Sequence, residues 1–202
     1  MEDRRVRKTK RAVKDSLVHL LGCKNFDQIT VTELCGEADI SRITFYTHYT
    51  DKYELAEELF QELLKVAVED FCRLQRENNP EEEALKGYGN LLDCILNLFE
   101  SNTAFLRQMS QRRNPYLYYS FYSLVFQKVE QRVKTESQKL IPRFGSRPFS
   151  AFLCHGLWAY IDEAYAAGQT LEDIRRETQA LLKGVLQSEA FVQAEPMETA
   201  KR

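Results

Sequence analysis

The sequence predicts an all-α protein, and three observations support this prediction. Apolar residues recur at spacings of three and four along most of the chain, which is the period of an amphipathic helix. Helix-start patterns, in which Thr or Asp precedes Glu or Asp by three residues, divide the chain into separate helices. Eight glycines and five prolines among 202 residues are few for a turn-rich β fold, and no segment has the pattern of a strand.

The first two helices are predicted from an apolar face and a capping box. Val13, Leu17 and Leu21 recur at helical spacing, which indicates a helix from about residue 4 to the glycine after Leu21. The stretch TVTE at residues 30–33 has the capping-box pattern, in which the Thr hydroxyl accepts from the Glu amide and the Glu carboxylate reaches back. It starts a short second helix that extends to about residue 38.

A third and a fourth helix follow directly. Ser41 is a suitable N-cap for a short helix that extends to about residue 49. The stretch DKYE at residues 51–54 repeats the capping pattern and opens a long helix to about residue 75. Two short capped helices, 30–38 and 41–49, joined by a turn of three or four residues have the spacing of a helix-turn-helix.

Four more helices are predicted in the second half of the chain. Asn79-Pro80 followed by three glutamates is typical of a helix start, because Pro fits the first turn and carboxylates suit the positive dipole end. Pro115 opens the next helix, and two prolines and a glycine make residues 141–148 a loop. Thr170 and Asp173 form the start of the last helix. The predicted boundaries are about 80–99, 115–140, 149–167 and 171–187.

A helical wheel sorts the side chains of the third helix into two faces. Phe45 and Tyr49 point inward, whereas Ile43, Tyr46 and Thr47 point outward. The outward face combines hydrogen-bonding groups with an apolar group that fits a thymine methyl, which is the chemistry that reads a major groove. Short capped helix pairs also occur in proteins that do not bind DNA, so the spacing alone leaves a protein-interaction bundle open. The edge of the face, where DNA phosphates would lie, carries Thr44, His48 and Lys52.

Residues 9–60 closely resemble the DNA-binding region of the TetR/AcrR family of transcriptional regulators. The most specific part of the resemblance is SRITFYTHYTDKYEL, which begins at Ser41. The resemblance implies a double-stranded DNA operator as the partner of this region. The implied base-reading residues are Arg42, Ile43, Tyr46 and Thr47. The implied phosphate-binding residues are Thr30, Ser41, Thr44, His48 and Lys52.

The basic residues near the N-terminus have two interpretations. Seven of the nine Lys and Arg residues in the first fifty positions fall between Arg4 and Lys14. They can form a solvated helix face, which is the more common role of such a run. Some family members instead extend a basic arm into the minor groove, and the residues that would form such an arm are Arg4, Arg5, Arg7 and Lys8.

The last two predicted helices each carry a broad apolar face. Helix-turn-helix proteins usually bind DNA as dimers, and two helices from each subunit can form a four-helix bundle. The family resemblance implies the same arrangement, so we expect a homodimer. The alternative is that both faces pack only within one subunit. The predicted interface residues are Phe152, Leu157, Tyr160, Ile161, Ile174, Leu181, Leu182 and Val185.

Aromatic residues are concentrated in the middle of the chain. The stretch NPYLYYSFYSLVF places them on nearly every side of its helix, which is more than one core face needs. Because the middle helices of the TetR/AcrR family commonly enclose a small-molecule effector, the resemblance implies a largely apolar pocket with phenol groups. Ordinary core packing is the alternative. The predicted pocket residues are Phe99, Phe105, Tyr118, Tyr119, Tyr122 and Phe126.

The sequence offers little support for catalysis. The three histidines are scattered, and neither a Glu-x-x-His pair, a Cys/His cluster nor a Gly-rich phosphate loop occurs. We therefore expect no enzymatic activity, no metal and no cofactor. The five cysteines form no C-x-x-C pair and fit a reducing compartment. For Cys35 and Cys154, inert burial is the expected state and oxidant sensing the alternative.

These features together predict a two-domain regulator. We expect a helix-turn-helix domain at residues 1–52, an effector-binding and dimerisation domain at 53–190, and a frayed tail at 191–202. The N-terminus lacks a signal-peptide core, and no run approaches the roughly 18 apolar residues that cross a bilayer, so we expect a soluble cytoplasmic protein. The predicted role is a repressor that a small-molecule effector releases from a near-palindromic operator. A protein-interaction protein, or an activator regulated by a protein partner, is the alternative.

Overall fold

The structure is a computed structural model that describes residues 4–102, 105, 108–109, 113–136, 140–189 and 191–193. These residues form eight α-helices, one 3-10 turn at Phe26–Gln28 and one pair of short strands. The all-α fold class is therefore confirmed. The helices are α1 (Arg4–Cys23), α2 (Val31–Glu37), α3 (Arg42–Tyr46), α4 (Lys52–Asn78), α5 (Ala84–Ser101), α6 (Pro115–Glu136), α7 (Ser146–Ala166) and α8 (Leu171–Leu186), and the strands are β1 (Leu140–Pro142) and β2 (Phe191–Gln193).

The chain divides into two compact units. The first unit comprises Met1–Val66 and Leu98–Ser123, and the second comprises Ala67–Asn97 and Leu124–Arg202. Three long helices, α4, α5 and α6, contribute residues to both. This division follows contacts within the chain, whereas the predicted domains at 1–52, 53–190 and 191–202 follow function and stay a prediction.

Aromatic and aliphatic side chains fill the core of the first unit. Phe60 lies 5.3 Å from Phe121 between ring centroids, and Phe26 stacks on Tyr116 at 5.7 Å. Asn114 is 3% exposed, and its Oδ1 accepts from the backbone amide of Phe26 at 2.6 Å while its Nδ2 donates to a backbone carbonyl at residue 108. The amide of Asn114 therefore holds the Phe26 turn in place.

Ion pairs connect α1 with α4. The ammonium group of Lys14 is 2.7 Å from one Glu58 oxygen, and that of Lys10 is 2.9 Å from the other. Burial lowers the pKa of Lys14, but hydrogen bonds to Glu58 and Glu62 outweigh this effect, so the pKa is raised. Two of the basic residues near the N-terminus are thus part of the packing between helices.

The starts of two helices differ from the prediction. Helix α5 begins at Ala84 and not at Pro80, because the Asn79 side chain bridges the preceding turn by accepting from the Glu83 amide at 2.8 Å. Helix α7 begins before Pro148, since proline needs no amide partner in a first turn. Gly145 precedes it with a φ of 84°, which a residue with a side chain rarely adopts.

The strand pair was not predicted. β1 and β2 run antiparallel, with Ile141 opposite Val192, so part of the predicted 141–148 loop and the start of the predicted frayed tail are paired. Three residues are too few to show a strand period, and the partner lies about fifty residues away along the chain. Among the described helices, none is long and apolar enough to cross a membrane.

Candidate nucleic-acid interface

The helix pair α2 and α3 begins with the predicted capping box. The Thr30 hydroxyl accepts from the Glu33 amide at 3.2 Å, and the Glu33 carboxylate accepts from the Thr30 amide at 2.9 Å. Glu33 also pairs with Lys24. The Lys24 ammonium and the two Thr30 donors lower the pKa of Glu33 to about 2. The start of α2 is therefore fixed by local hydrogen bonds that the sequence pattern foretells.

Helix α3 and the turn after it present the two faces that the helical wheel predicts, although the helix ends at Tyr46 and not near residue 49. Phe45 and Tyr49 are buried at 0% and 1% exposure, and their ring centroids are 5.6 Å apart. Ile43 is 80% exposed and Tyr46 is 49% exposed. Arg42 and Thr47 are exposed as well. Two aromatic anchors thus hold a short helix whose outer face is open to solvent.

Hydrogen bonds organise the polar groups of this outer face. Ser41 caps α3 by accepting from the Thr44 amide at 3.0 Å, and the two hydroxyls are 2.9 Å apart. The Arg42 guanidinium lies over the Tyr46 ring and donates to its phenol oxygen at 3.5 Å. The Thr47 hydroxyl donates to the Thr44 carbonyl at 2.7 Å. The face therefore offers a guanidinium, a phenol and an exposed Ile43 side chain to a partner.

Lys52 has a different role from the predicted phosphate contact. Its ammonium donates to the backbone carbonyls of Phe26 at 2.8 Å, Ile29 at 2.9 Å and Asp27 at 3.1 Å. Burial lowers the pKa of Lys52, and the negative charge of Asp27 opposes this shift. Three bonds use all three ammonium hydrogens, so Lys52 closes the 3-10 turn in this structure.

The hydrogen-bond donors of Thr30 are also used within the chain. Its amide and its hydroxyl both donate to the Glu33 carboxylate, at 2.9 and 2.8 Å. His48 is half-buried at the edge of the α3 face. The four residues of the predicted basic arm, Arg4, Arg5, Arg7 and Lys8, form the first turns of α1 and not an extended segment.

The predicted effector residues do not share one environment. Phe99, Phe105 and Tyr122 are buried in the first unit, where Tyr118 stacks on Tyr122 at 6.2 Å between ring centroids. Tyr119 is 49% exposed, so it lies outside the buried aromatic core, and its place in an effector pocket stays a prediction. Phe126 belongs to the second unit and is half-buried, with the Arg147 guanidinium 5.5 Å from its ring centroid.

The second unit contains a small apolar cavity that the sequence did not reveal. Its volume is about 50 Å³, and its walls come from α5, α6, α7 and α8. The sequence assigned these side chains to helix cores, and apolar periodicity cannot distinguish a cavity wall from a filled core. The lining includes Tyr88, Leu91, Val125, Leu153, Cys154 and Leu157.

The predicted dimer residues divide into exposed and buried groups. Phe152 and Leu181 are 62% and 47% exposed, and Leu157, Tyr160 and Val185 are half-buried. Ile161, Ile174 and Leu182 are at most 4% exposed, so they belong to the core of the second unit and not to a free seam. The apolar face of each helix is broad enough to supply both core residues and exposed interface residues. Only the packing of the folded chain shows which residues belong to which group.

Cys35 is buried and Cys154 is half-buried, and both environments disfavour the thiolate. Burial raises the pKa of Cys154 to about 12, which disfavours the reactive thiolate. Burial also raises the pKa of Cys35, against the opposing charge of Arg42. Across the described ranges, no three His, Cys, Asp or Glu side chains cluster as a metal site would require.

Similar solved structures share this architecture over nearly the whole chain. A Syntrophomonas wolfei protein assigned to the TetR family of transcriptional regulators superposes with a TM-score of 0.74 at 10% identity, over 91% of this chain and 97% of that one. A TetR transcriptional regulator from Streptococcus agalactiae gives 0.61 at 23% identity, over 89% and 96%. The chain has the fold of TetR-family transcriptional regulators.

Other comparisons add detail to this TetR fold. The dihydroxyacetone kinase operon activator DhaS superposes with a TM-score of 0.52 at 20% identity, over 88% of this chain and 96% of that one. The Bacillus subtilis protein YxbF, an uncharacterized helix-turn-helix-type transcriptional regulator, is 30% identical over 95 residues. That match spans 46% of this chain and only 24% of YxbF. No family model matches the chain. These neighbours are described as transcriptional regulators or as an operon activator.

Proposed function

We propose that the protein is a transcriptional regulator that binds double-stranded DNA through α3. The observation that carries this proposal is the orientation of α3, with Phe45 and Tyr49 buried behind an exposed face. A TetR-type fold and the partial similarity to a helix-turn-helix regulator support it. A helix of this size with exposed donors fits the major groove of B-DNA.

The DNA contacts follow from which side chains are available. Arg42, Ile43, Tyr46 and Thr47 are exposed on one face and would meet base edges. Ser41, Thr44 and His48 border this face and would meet phosphates. Lys52 leaves this set because all three of its ammonium hydrogens are used by backbone carbonyls, and Thr30 because its amide and its hydroxyl are both bonded to Glu33.

A homodimer would bring two copies of α3 to one DNA duplex. Helix-turn-helix dimers place their recognition helices about 34 Å apart, one helical turn of DNA. The proposed seam is an exposed strip with small residues that permit close approach, and an isologous interface would pair this strip with itself. It consists of Phe152, Gly156 and Ala159 on α7 with Leu181 and Gly184 on α8.

Regulation by a small molecule completes the proposal. An effector that binds one arrangement of the dimer better would shift the population away from the arrangement that fits DNA, with a coupling of about 1–3 kcal/mol. The apolar cavity in the second unit is a starting point for such a site. On this view the protein is a repressor that acts in the cytoplasm.

Activation of transcription is the second candidate. One protein of the same fold, DhaS, is described as an operon activator, so the fold is compatible with either direction of control. A reporter gene placed behind the bound operator distinguishes them, since loss of the protein raises expression for a repressor and lowers it for an activator.

Selection of bound fragments from the host genome tests the core of the proposal. We expect enrichment of a near-palindromic site whose affinity falls steeply with salt, because bound phosphates release counterions. A gel shift with the enriched fragment and a scrambled copy serves as the control. Equal binding to both, or no binding at low salt, would contradict the proposal.

A further inference from the structure

The second unit carries an open groove between α5 and α8 that shares no residue with the DNA-binding face or the proposed seam. Its volume is about 900 Å³, at the upper end of the roughly 300–1,000 Å³ of small-molecule sites. At 100° per residue, the groove residues of α8 point roughly opposite to Leu181 and Gly184. The groove is lined by α5 from Leu85 to Asp93, by α8 from Glu172 to Leu186, and by Asn78 at the end of α4.

Hydrogen bonds between α5 and α8 hold the groove walls in register. The Gln179 side-chain amide donates to the Gly89 carbonyl at 3.1 Å. The Arg175 guanidinium donates to Asp93 at 2.8 Å and to Asn97 at 2.9 Å. Gly89 therefore lies beside Gln179 and Asp93 beside Arg175, which means that the helices run antiparallel.

A buried amide fixes the base of the groove. Asn90 is 4% exposed, and its side-chain nitrogen donates to Gln75 at 2.5 Å and to Asn78 at 2.8 Å. Because both amide hydrogens are used, Asn90 presents only its carbonyl oxygen as a further hydrogen-bonding group. The groove is thus formed by side chains that are bonded to one another.

One end of the groove combines an apolar surface with positive charge. Leu182 and Leu186 are buried beneath it, and Leu85 is 40% exposed at its edge. The antiparallel register places Lys86 of α5 opposite the α8 segment that contains Lys183, and both side chains line the groove. Lys86 pairs with Glu83, the residue that precedes α5, but this exposed pair is weak and can exchange for a ligand.

The acidic side chains that line the groove either lie away from this end or are paired with an arginine. Asp93 is bonded to Arg175, and Glu172 lies at the opposite end of α8 from Lys183. Arg176 pairs with Asp173. The end with Lys86 and Lys183 thus has two ammonium groups beside the Glu83 carboxylate, which leaves it modestly positive.

We propose that this groove binds an amphipathic anion, namely an aliphatic carboxylate. The carboxylate lies between the ammonium groups of Lys86 and Lys183, and the hydrocarbon chain packs on Leu85 along the groove floor above the buried Leu182 and Leu186. The two lysines supply positive charge for the carboxylate, and the leucines supply apolar surface for the hydrocarbon chain, as small-molecule sites require. This inference is independent of the DNA-binding role, so either can fail without the other.

Titration calorimetry with the full chain tests the proposal through three probes of equal length. Octanoate carries the expected charge, octan-1-ol is neutral and octylammonium has the opposite charge. We expect octanoate to bind with one site per chain and more tightly than the other two. Absence of octanoate binding, or equal binding of all three probes, would overturn the proposal.

Substitutions then locate the site. Lys86→Gln and Lys183→Gln should each weaken octanoate binding about fivefold, the scale of one exposed ion pair, and leave octan-1-ol binding unchanged. Leu85→Gln should weaken both probes. Lys128→Gln and Val68→Gln are matched controls, because both residues are exposed and neither lines the groove. Wild-type affinity for octanoate in both lysine variants would refute the assignment.

Discussion

At the scale of single residues, Tyr46 is the most direct test of the DNA-binding face. Its ring is half exposed and its phenol accepts from Arg42, so truncation removes a base-edge contact without opening the core. Tyr46→Ala should weaken operator binding by about 1–3 kcal/mol, which is roughly fivefold to 150-fold, with helicity unchanged. Fluorescence anisotropy with a labelled operator measures this change.

A matched control exists for this substitution. Tyr119 has the same 49% exposure but lies on α6, so Tyr119→Ala removes an equal ring outside the proposed DNA-binding face. It should leave operator binding at the wild-type value in the absence of an effector. Equal losses for both variants would mean that Tyr46 has no specific role.

Lys52 allows a test between a structural role and a phosphate contact. Lys52→Met removes the donor of three backbone carbonyls while keeping the apolar stem, so we expect unfolding to become easier by about 1–3 kcal/mol. Urea denaturation measures this loss, and Lys65→Met at an exposed position of α4 is the control. Unchanged stability with a smaller salt dependence of DNA binding would instead support the phosphate contact.

At the scale of elements, the capping box of α2 makes stability depend on pH. The pKa of Glu33 is about 2 in the folded chain against an ordinary value of 4.5, so folding favours its charged form. The resulting stabilisation is fully present above about pH 4.5 and is lost as pH falls toward 2. Acid titration should therefore weaken the start of α2 in this range.

Denaturation curves at several pH values check this expectation. The unfolding free energies of wild type and Glu33→Gln should differ at pH 6 and converge near pH 2, since glutamine keeps the shape but not the charge. Glu69→Gln, at an exposed position within α4, controls for the loss of one negative charge. A constant difference between wild type and Glu33→Gln across the pH range would exclude the carboxylate as its cause.

Elements were predictable from sequence where local signals define them. The capping box at Thr30, the N-cap at Ser41 and the two faces of α3 depend on neighbouring residues, and the structure has all three. The Lys52 carbonyl cluster and the Asn114 bond to Phe26 join residues that are far apart in sequence. Such contacts have no local signal, so the sequence could not show that Lys52 binds these carbonyls.

At the scale of the whole molecule, the local sequence pattern also fails to separate core from interface residues in the helices of the proposed seam. Ile161, Ile174 and Leu182 share an apolar pattern with Phe152 and Leu181, yet the first three are core residues and the last two are exposed. Periodicity identifies apolar faces but cannot assign each face to a partner. The exposure of individual side chains therefore decides which substitutions test a dimer and which would only unfold the subunit.

Charged substitutions in the proposed seam test whether a dimer is needed for two copies of α3 to bind DNA. Phe152→Glu combined with Leu181→Glu places charges on exposed positions, so each subunit should stay folded while the seam becomes repulsive in the isologous pair. Sedimentation should then show monomers. Operator affinity should fall by about a hundredfold or more, because binding of the second half-site loses its effective concentration.

Val66→Glu, at a position of α4 with 56% exposure, should leave a dimer. If the double variant sediments as a dimer, the α7–α8 strip is not the seam, whereas a monomer with wild-type operator affinity would show that paired binding is unnecessary.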